Sequence, residues 1–352
     1  MLRLIIYISK IFLARWLVAV FGMVILVGLL DSLANASAIA ASDEGGALRY
    51  MMLRAPVIYD LVIVFSIMLA LLLTFVSLIR RNELVAIQGI GLSVFAQVRA
   101  LAPIVLVVSI GSLFLINHSL PPSVQALNAW GIGEYEEGTV TEDEPLWLND
   151  NGLFVRMKGR TGLDILTDLT FFHRDRAGYV QRVSWAQRAT YQEGSWALEG
   201  IETLIVDSAE APPPPLTAWV TNQTPLLIDK LAAEPRDLSL KDLTAFASFR
   251  GSGSRPSASY KVWHLKRISL PFSALALLLL AAPIMQKLGR RDTGTFELII
   301  GVGAAFLFMI VDGILITMGA NGALLPEIAA LGAPIVIAAI GLYLWLNQEI
   351  LA

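Results

Sequence analysis

Few side chains in this sequence are of a type that does chemistry, and those few stand apart from one another. The three histidines, His118, His173 and His264, are widely separated, and no H-E-x-x-H pairing of two ligands with a base occurs. Lone histidines of this kind are far more often surface or satisfied core residues than metal ligands. Cysteine is absent, which excludes disulfides, a thiol nucleophile and any cysteine-ligated metal. Serines are plentiful, but none lies in a G-x-S-x-G elbow. The dense glycine pairs Gly89-Ile90-Gly91, Gly251-Ser252-Gly253 and Gly301-Val302-Gly303 lack the lysine and hydroxyl of a phosphate loop. None has the full dinucleotide pattern after a strand, and close helix packing or linker flexibility explains them better. The sequence therefore predicts no catalytic residue, no metal site and no cofactor. Any ATP hydrolysis belongs to another chain.

Two carboxylates carry more weight, because a charge in hydrocarbon costs several kcal/mol unless it faces protein or water. Asp60 sits near the end of an apolar run, where a solvated interfacial carboxylate and a functional one fit equally well. Asp312 lies deeper, in Val311-Asp312-Gly313, and either faces a polar cavity or pairs with another helix. The sharpest local feature is the segment from Arg80 to Ser93, which opens Arg80-Arg81-Asn82-Glu83. Charges begin it, and Leu84, Ile87 and Gly91 then recur at helical spacing. A solvated loop has no need of that apolar face. A short helix lying on the membrane surface needs one, and so does a helix docked on a partner.

The elements that position these residues follow from hydropathy. Hydrophobic residues make up 56% of the 352 and charged residues 16%, against about 25% in soluble domains. The deficit is confined to the two ends. Six stretches approach the roughly 20 apolar residues that a membrane crossing needs. They run Ile11–Leu33, Pro56–Ile79, Val98–Ile116, Ile268–Met285, Phe296–Met318 and Ile328–Leu346. The first has a rival reading as a secretory signal, with Arg3, Lys10 and Arg15 before the run and Ala34-Asn35-Ala36 after it. Lysine and arginine cluster before the first stretch, between the second and third, and between the fourth and fifth. With six crossings these sites share one side, which the positive-inside rule makes the cytoplasm. Both termini are then cytoplasmic and the middle of the chain is external. The net charge of −3 and the absence of a basic block give no support to nucleic-acid binding.

Between the bundles the pattern changes to short β-branched and aromatic runs. Strands are expected at Pro145–Leu148, Leu153–Lys158, Leu163–Phe172, Tyr179–Tyr191 and Ser195–Val206, separated by Asn/Asp/Gly turns. Pro212–Pro215 is a stiff break, Leu238–Ser248 reads as a short helix with Ser239 at its N-cap, and Gly251–Ser259 reads as a linker. The fold class expected is a six-helix membrane bundle, three plus three, with an inserted all-β domain of sandwich or jelly-roll type. The boundaries expected are residues 1–116 for helices one to three, with a cytoplasmic segment at 80–95. The external domain is placed at 117–264 and helices four to six at 265–352.

At Arg81-Asn82-Glu83-Leu84-Val85-Ala86-Ile87, followed by a glycine-containing turn, the chain resembles the cytoplasmic coupling segment of the LptF/LptG lipopolysaccharide export permeases. The layout of three helices, a β domain and three helices is similar over essentially the whole chain. Two further stretches resemble the LptG branch, Leu146–Val155 and Tyr260–Trp263 leading into Ile268–Pro271. The resemblance implies a non-catalytic permease subunit of an ABC exporter in the bacterial inner membrane, its β domain a periplasmic jelly roll. It would extract lipopolysaccharide and pass it to a periplasmic bridge. The implied partners are an LptF-like permease, a cytoplasmic ABC ATPase dimer and an LptC-like single-helix protein. By position Glu83 is the carboxylate that docks in the ATPase, with Arg81, Leu84 and Ile87 around it. One departure stands out. Well-known members of the LptG branch carry lysines toward the outer end of helix one, where they meet lipid phosphates, whereas this chain reads Asp31-Ser32-Leu33-Ala34-Asn35. Arg49 and Arg54 then become the candidates for positive charge, and Asp312 is the remaining candidate for substrate contact. The competing reading is a membrane-anchored scaffold whose β domain binds a periplasmic protein and transports nothing, for which six helices are excessive.

Overall fold

The computed structural model describes residues 2–41, 46–83, 89, 94–132, 145–150, 152–161, 164–174, 178–192, 194–206, 217–221, 223–248, 255–288 and 295–350. The chain opens with helices α1 (Leu2–Ala34), α2 (Ala36–Ala41), α3 (Gly46–Arg80) and α4 (Val94–Trp130). Strands β1 (Leu146–Asp150), β2 (Leu153–Thr161), β3 (Ile165–Arg174), β4 (Val180–Gln192), β5 (Ser195–Ile205) and β6 (Ala218–Trp219) follow. Helices α5 (Pro225–Ala232), α6 (Leu240–Ser248), α7 (Ser257–Ile268), α8 (Leu270–Leu288), α9 (Thr295–Ala320) and α10 (Pro326–Ile350) complete it. Two compact units result. Met1–Val124 with Lys261–Ala352 form a helical unit, and Gln125–Tyr260 form a β-rich one.

Helices satisfy every backbone N–H and C=O within one segment, which is what long apolar runs require in hydrocarbon. Among the described residues five helices, α1, α3, α4, α9 and α10, are long and apolar enough to cross a membrane. Helices α7 and α8 reach that length only together, and they are bent by 55° where they meet. The expected fourth span, Ile268–Met285, is thus mainly the second arm of a longer bent pair. Its first arm begins at Ser257, inside the stretch that reads as linker. The cause of the bend is local. Pro271 has no N–H to donate to the carbonyl of Arg267, and its ring crowds that turn. Ser269 fills in, its Oγ donating to the Lys266 carbonyl at 2.8 Å.

Helix α3 is the centre of this unit, with α1, α8 and α9 packed around it. Ile63, Met68, Leu71, Leu72 and Phe75 on α3 are essentially inaccessible. α1 runs antiparallel to α3, and Val20, Ile58 and Val62 form their shared core with Trp16, Met23, Val24, Val27 and Tyr59 against it. Small residues set how closely the other helices approach. A Cβ on Gly341 of α10 would lie 2.7 Å from the backbone of Leu279 on α8, and one on Gly301 would lie 2.5 Å from the Leu72 side chain. Nothing lies within 4 Å of the same position on Gly303, so only one member of that glycine pair is a packing residue.

In the β-rich unit the five expected strands are present to within a few residues at each end, and the two-residue β6 is added. All six pair antiparallel in the order β1-β2-β3-β4-β5-β6. A crease crosses this meander. Lys158, Asp168, Gln187 and Gly200 stand opposite one another, fixed by the pairs on either side of them. Asp168 and Gly200 take positive φ, 53° and 66°. A left-handed residue interrupts the alternation of a strand, and the buried set changes phase there. On β4 it is Arg182, Ser184 and Ala186 before the crease and Ala189 after it. The sheet curls as a result. Trp219, at the end of β6, donates its Nε1–H to Asp150 Oδ2 of β1 at 3.0 Å, and Phe171 of β3 meets the Trp219 ring edge-on at 5.8 Å. The two edges of the sheet therefore face each other. The short helix α6 starts as expected: Ser239 Oγ accepts the Asp242 N–H at 3.2 Å and donates to the Asp242 carboxylate at 2.7 Å.

Candidate functional site

Glu83 stands just past the end of α3. The Arg81 N–H still bonds back to Ser77, and Asn82, at φ 56°, ends the helix. Asparagine tolerates the left-handed region better than most residues, so this position suits it. Tyr7 of α1 meets this carboxylate. Its hydroxyl lies 2.8 Å from Oε1 and 3.0 Å from Oε2 of Glu83. The Arg81 guanidinium reaches Oε1 at 4.0 Å. The Glu83 side chain keeps 30% of its surface exposed, enough for a second basic group to reach it. Leu84 and Ile87 lie outside the described residues.

At the opposite end of the α1–α3 pair is a second polar cluster. Asp31 Oδ2 accepts from Arg54 Nε at 2.8 Å and from the Tyr50 hydroxyl at 2.9 Å. Tyr50 and Arg54 are four residues apart and share one face of α3. Asn35, one turn beyond Asp31, donates to the Tyr50 hydroxyl at 3.2 Å and to the Asp31 carbonyl at 2.9 Å. Arg54 is 8% exposed and committed to this cluster, whereas Arg49 is at the surface. Asp31 is thus the counter-ion of one of the two candidate arginines.

Asp312 on α9 is 8% exposed and lies against another helix. Its Oδ2 accepts from Lys266 Nζ of α7 at 2.5 Å, while Oδ1 is buried without a hydrogen-bond partner. Phe308, one turn earlier on α9, places its ring 5.8 Å from the same ammonium. Lys266 stands just before the α7–α8 bend, so the pair ties that bend to α9. Asp60 is partly buried on α3. Tyr7 and Lys266 were not evident from sequence, since their partners are 76 and 46 residues away.

In the β-rich unit, Arg182 is buried on β4, with its guanidinium 3.1 Å from Nε2 of His173, its cross-strand partner on β3. Burial, and then the Arg182 charge, push the His173 imidazole down to about 4, so it is neutral near pH 7. Burial also lowers Arg182. Small side chains, Ser184 and Ala186, continue this buried face. The other face is aromatic and partly open. Trp147 stacks on Phe172 at 5.6 Å, and the guanidinium of Arg174 sits 4.2 Å from the Phe154 ring centre. Among the described residues no group of three His, Asp or Glu is arranged to hold a metal ion.

Comparison with known proteins gives these features a common setting. The sequence pattern of the lipopolysaccharide export system permease LptF/LptG family matches residues 6–347. The lipopolysaccharide export system permease protein LptG of Escherichia coli is 23% identical over 325 residues, covering 88% of each chain. The protein of the same name from Haemophilus influenzae is 22% identical over 253 residues, 70% of this chain and 71% of the relative. By a match that spans nearly all of its length, the chain belongs to the lipopolysaccharide export system permease LptF/LptG family.

Proposed function

We propose that this chain is the LptG-type half of the exporter and that Glu83 is the carboxylate through which it docks on the ATPase. The chain is a permease subunit of lipopolysaccharide export, a transporter component and not an enzyme. In the proposed assembly it pairs with an LptF-like permease on a cytoplasmic ABC ATPase dimer, with an LptC-like single-helix protein alongside. The bent pair α7–α8 counts as the fourth of six spans, both termini are cytoplasmic, and the curled sheet is a periplasmic jelly roll that receives lipid. The positive-inside distribution of lysine and arginine supports that orientation.

The observation that carries the reading is the placement of Glu83. The family resemblance selects this carboxylate from sequence, and it stands at the end of the helix at the centre of the helical unit, part-exposed. A carboxylate so placed can form a charge-assisted pair with a basic group on the ATPase and pass force into α3. Arg49, exposed near the opposite end, is the better candidate for a lipid phosphate, because Arg54 is buried beside Asp31. The pairing of Asp312 with Lys266 supports a role in holding the bundle.

The test is Glu83→Ala in the assembled complex. Loss of the ATPase subunit on purification, or of lipid-stimulated hydrolysis, is expected. An intact complex with full coupling would remove Glu83 from the mechanism. Photo-crosslinking from Ser184 and Ala186, on the buried face of the sheet, should capture lipopolysaccharide during transport. Crosslinks confined to the aromatic face would relocate the lipid path.

A further inference from the structure

The Tyr7–Glu83 contact joins residues 76 apart in sequence, and the function as described makes no use of it. One phenol oxygen lies within 3.0 Å of both carboxylate oxygens, so it sits across the open edge of the carboxylate rather than on one oxygen alone. This placement restrains rotation of the carboxylate about its terminal torsion, which is otherwise broad for glutamate. Tyr7 itself is fixed by its helix, because the next residue, Ile8, is 1% exposed and the Phe12 side chain one turn on is fully buried. The phenol is therefore a stationary donor, while Tyr7 and Glu83 both keep surface open to a partner at 40% and 30% exposure.

We infer that Tyr7 is the positioning residue of Glu83: its hydroxyl presets the carboxylate for a basic group of the ATPase and makes α1, as well as α3, a carrier of the load. The inference rests on the docking role proposed for Glu83. Geometry extends it along the membrane. α1 and α3 are antiparallel, share a core at Val20, Ile58 and Val62, and are tied at their other end by Asp31 and Arg54. Tyr7 and Asp31 are 24 residues apart on one helix, roughly 36 Å at 1.5 Å per residue. A displacement applied at Glu83 therefore enters a hairpin fastened at both ends and arrives at the Asp31–Arg54 cluster. Without the Tyr7 contact, load would enter α3 alone, and α1 would follow only through side-chain packing.

The experiment is a double-mutant cycle in the full complex, with ATPase affinity and the number of lipopolysaccharide molecules moved per ATP as readouts. Tyr7→Phe removes the hydroxyl and keeps the ring. It is expected to weaken ATPase association by about threefold to tenfold, the value of one hydrogen bond, and to lower lipid moved per ATP. In a Glu83→Ala background the same change should do nothing further. A Tyr7→Phe effect that persists without Glu83 would mark a merely structural tyrosine and overturn the inference. Tighter association in Tyr7→Phe would make the hydroxyl a competitor of the partner and also overturn it. If Glu83→Ala weakens association and Tyr7→Phe is silent, the inference fails while Glu83 keeps its role. If Glu83→Ala is itself silent, the docking reading fails and the inference with it.

Discussion

Replacing Asp31 by Asn removes one charge and keeps the shape, which isolates what the outer cluster contributes. Asp31 Oδ2 accepts two charge-assisted hydrogen bonds, from Arg54 Nε and from Tyr50. Each such bond is worth about 1.5–3 kcal/mol net. Two considerations reduce the sum. The Asp31 side chain is 21% exposed, so water replaces part of what is lost, and asparagine retains one acceptor. The Arg54 side chain, at 9% exposure, gains little from water. The expected cost of Asp31→Asn is about 2 kcal/mol, below the 3–5 kcal/mol of breaking a fully buried pair. Arg54→Gln should cost a similar amount, and the double variant about the same as either single one. The measurement is equilibrium unfolding of the four proteins in mixed micelles, followed by tryptophan fluorescence. A coupling energy below about 0.5 kcal/mol would mean that the two residues act independently. Arg54 would then not be held by Asp31.

Lys266→Met should destabilise the helical unit by about 3 kcal/mol by leaving the Asp312 carboxylate buried and unpaired, and Lys266→Met with Asp312→Leu should recover most of that in the same unfolding assay. Gly341→Ala places a methyl group against the backbone at Leu279 and should cost about 1–3 kcal/mol, whereas Gly303→Ala meets nothing and should be neutral or slightly stabilising, as thermal midpoints would show. His173 is held at about 4 against an ordinary value of 6.5, so the unfolded chain takes up a proton before the folded one does. Its contribution is complete above pH 6.5 and declines as the pH falls towards 4; comparing pH-dependent melting of the wild type and His173→Gln should show a flatter profile in the variant. Asp168→Gly should be tolerated and Asp168→Val should cost about 1–2 kcal/mol, since only the second strains the left-handed backbone of the crease.

The strands were legible because their signals are local: alternation along each run and Asn, Asp and Gly at the turns. The N-cap at Ser239 was legible for the same reason. What escaped depends on residues distant in sequence. Lys266 and Arg267 make α7 look too polar for a membrane helix, and only the partner on α9 explains the lysine. Arg54 reads as a free cation beside a missing lysine site until Asp31, 23 residues earlier, is seen to hold it. Asp168 carries no hint of a crease by itself. The row that it forms with Gly200 emerges only from strand register. The absence of lysine from Asp31-Ser32-Leu33-Ala34-Asn35 was visible from the start, and the structure gives its acid a physical role, an internal pair with Arg54.

Closure of the curled sheet has a mechanical consequence. Among the described residues β1 and β6 are not joined by a backbone ladder, and a side-chain hydrogen bond, Trp219 on Asp150, bridges their meeting line. Parting two laddered strands sacrifices a bond of about 1 kcal/mol for nearly every residue, whereas a side-chain clasp yields for a small part of that. The sheet is therefore zipped along its strands and buttoned along one margin. Opening that margin would leave the strand pairing intact.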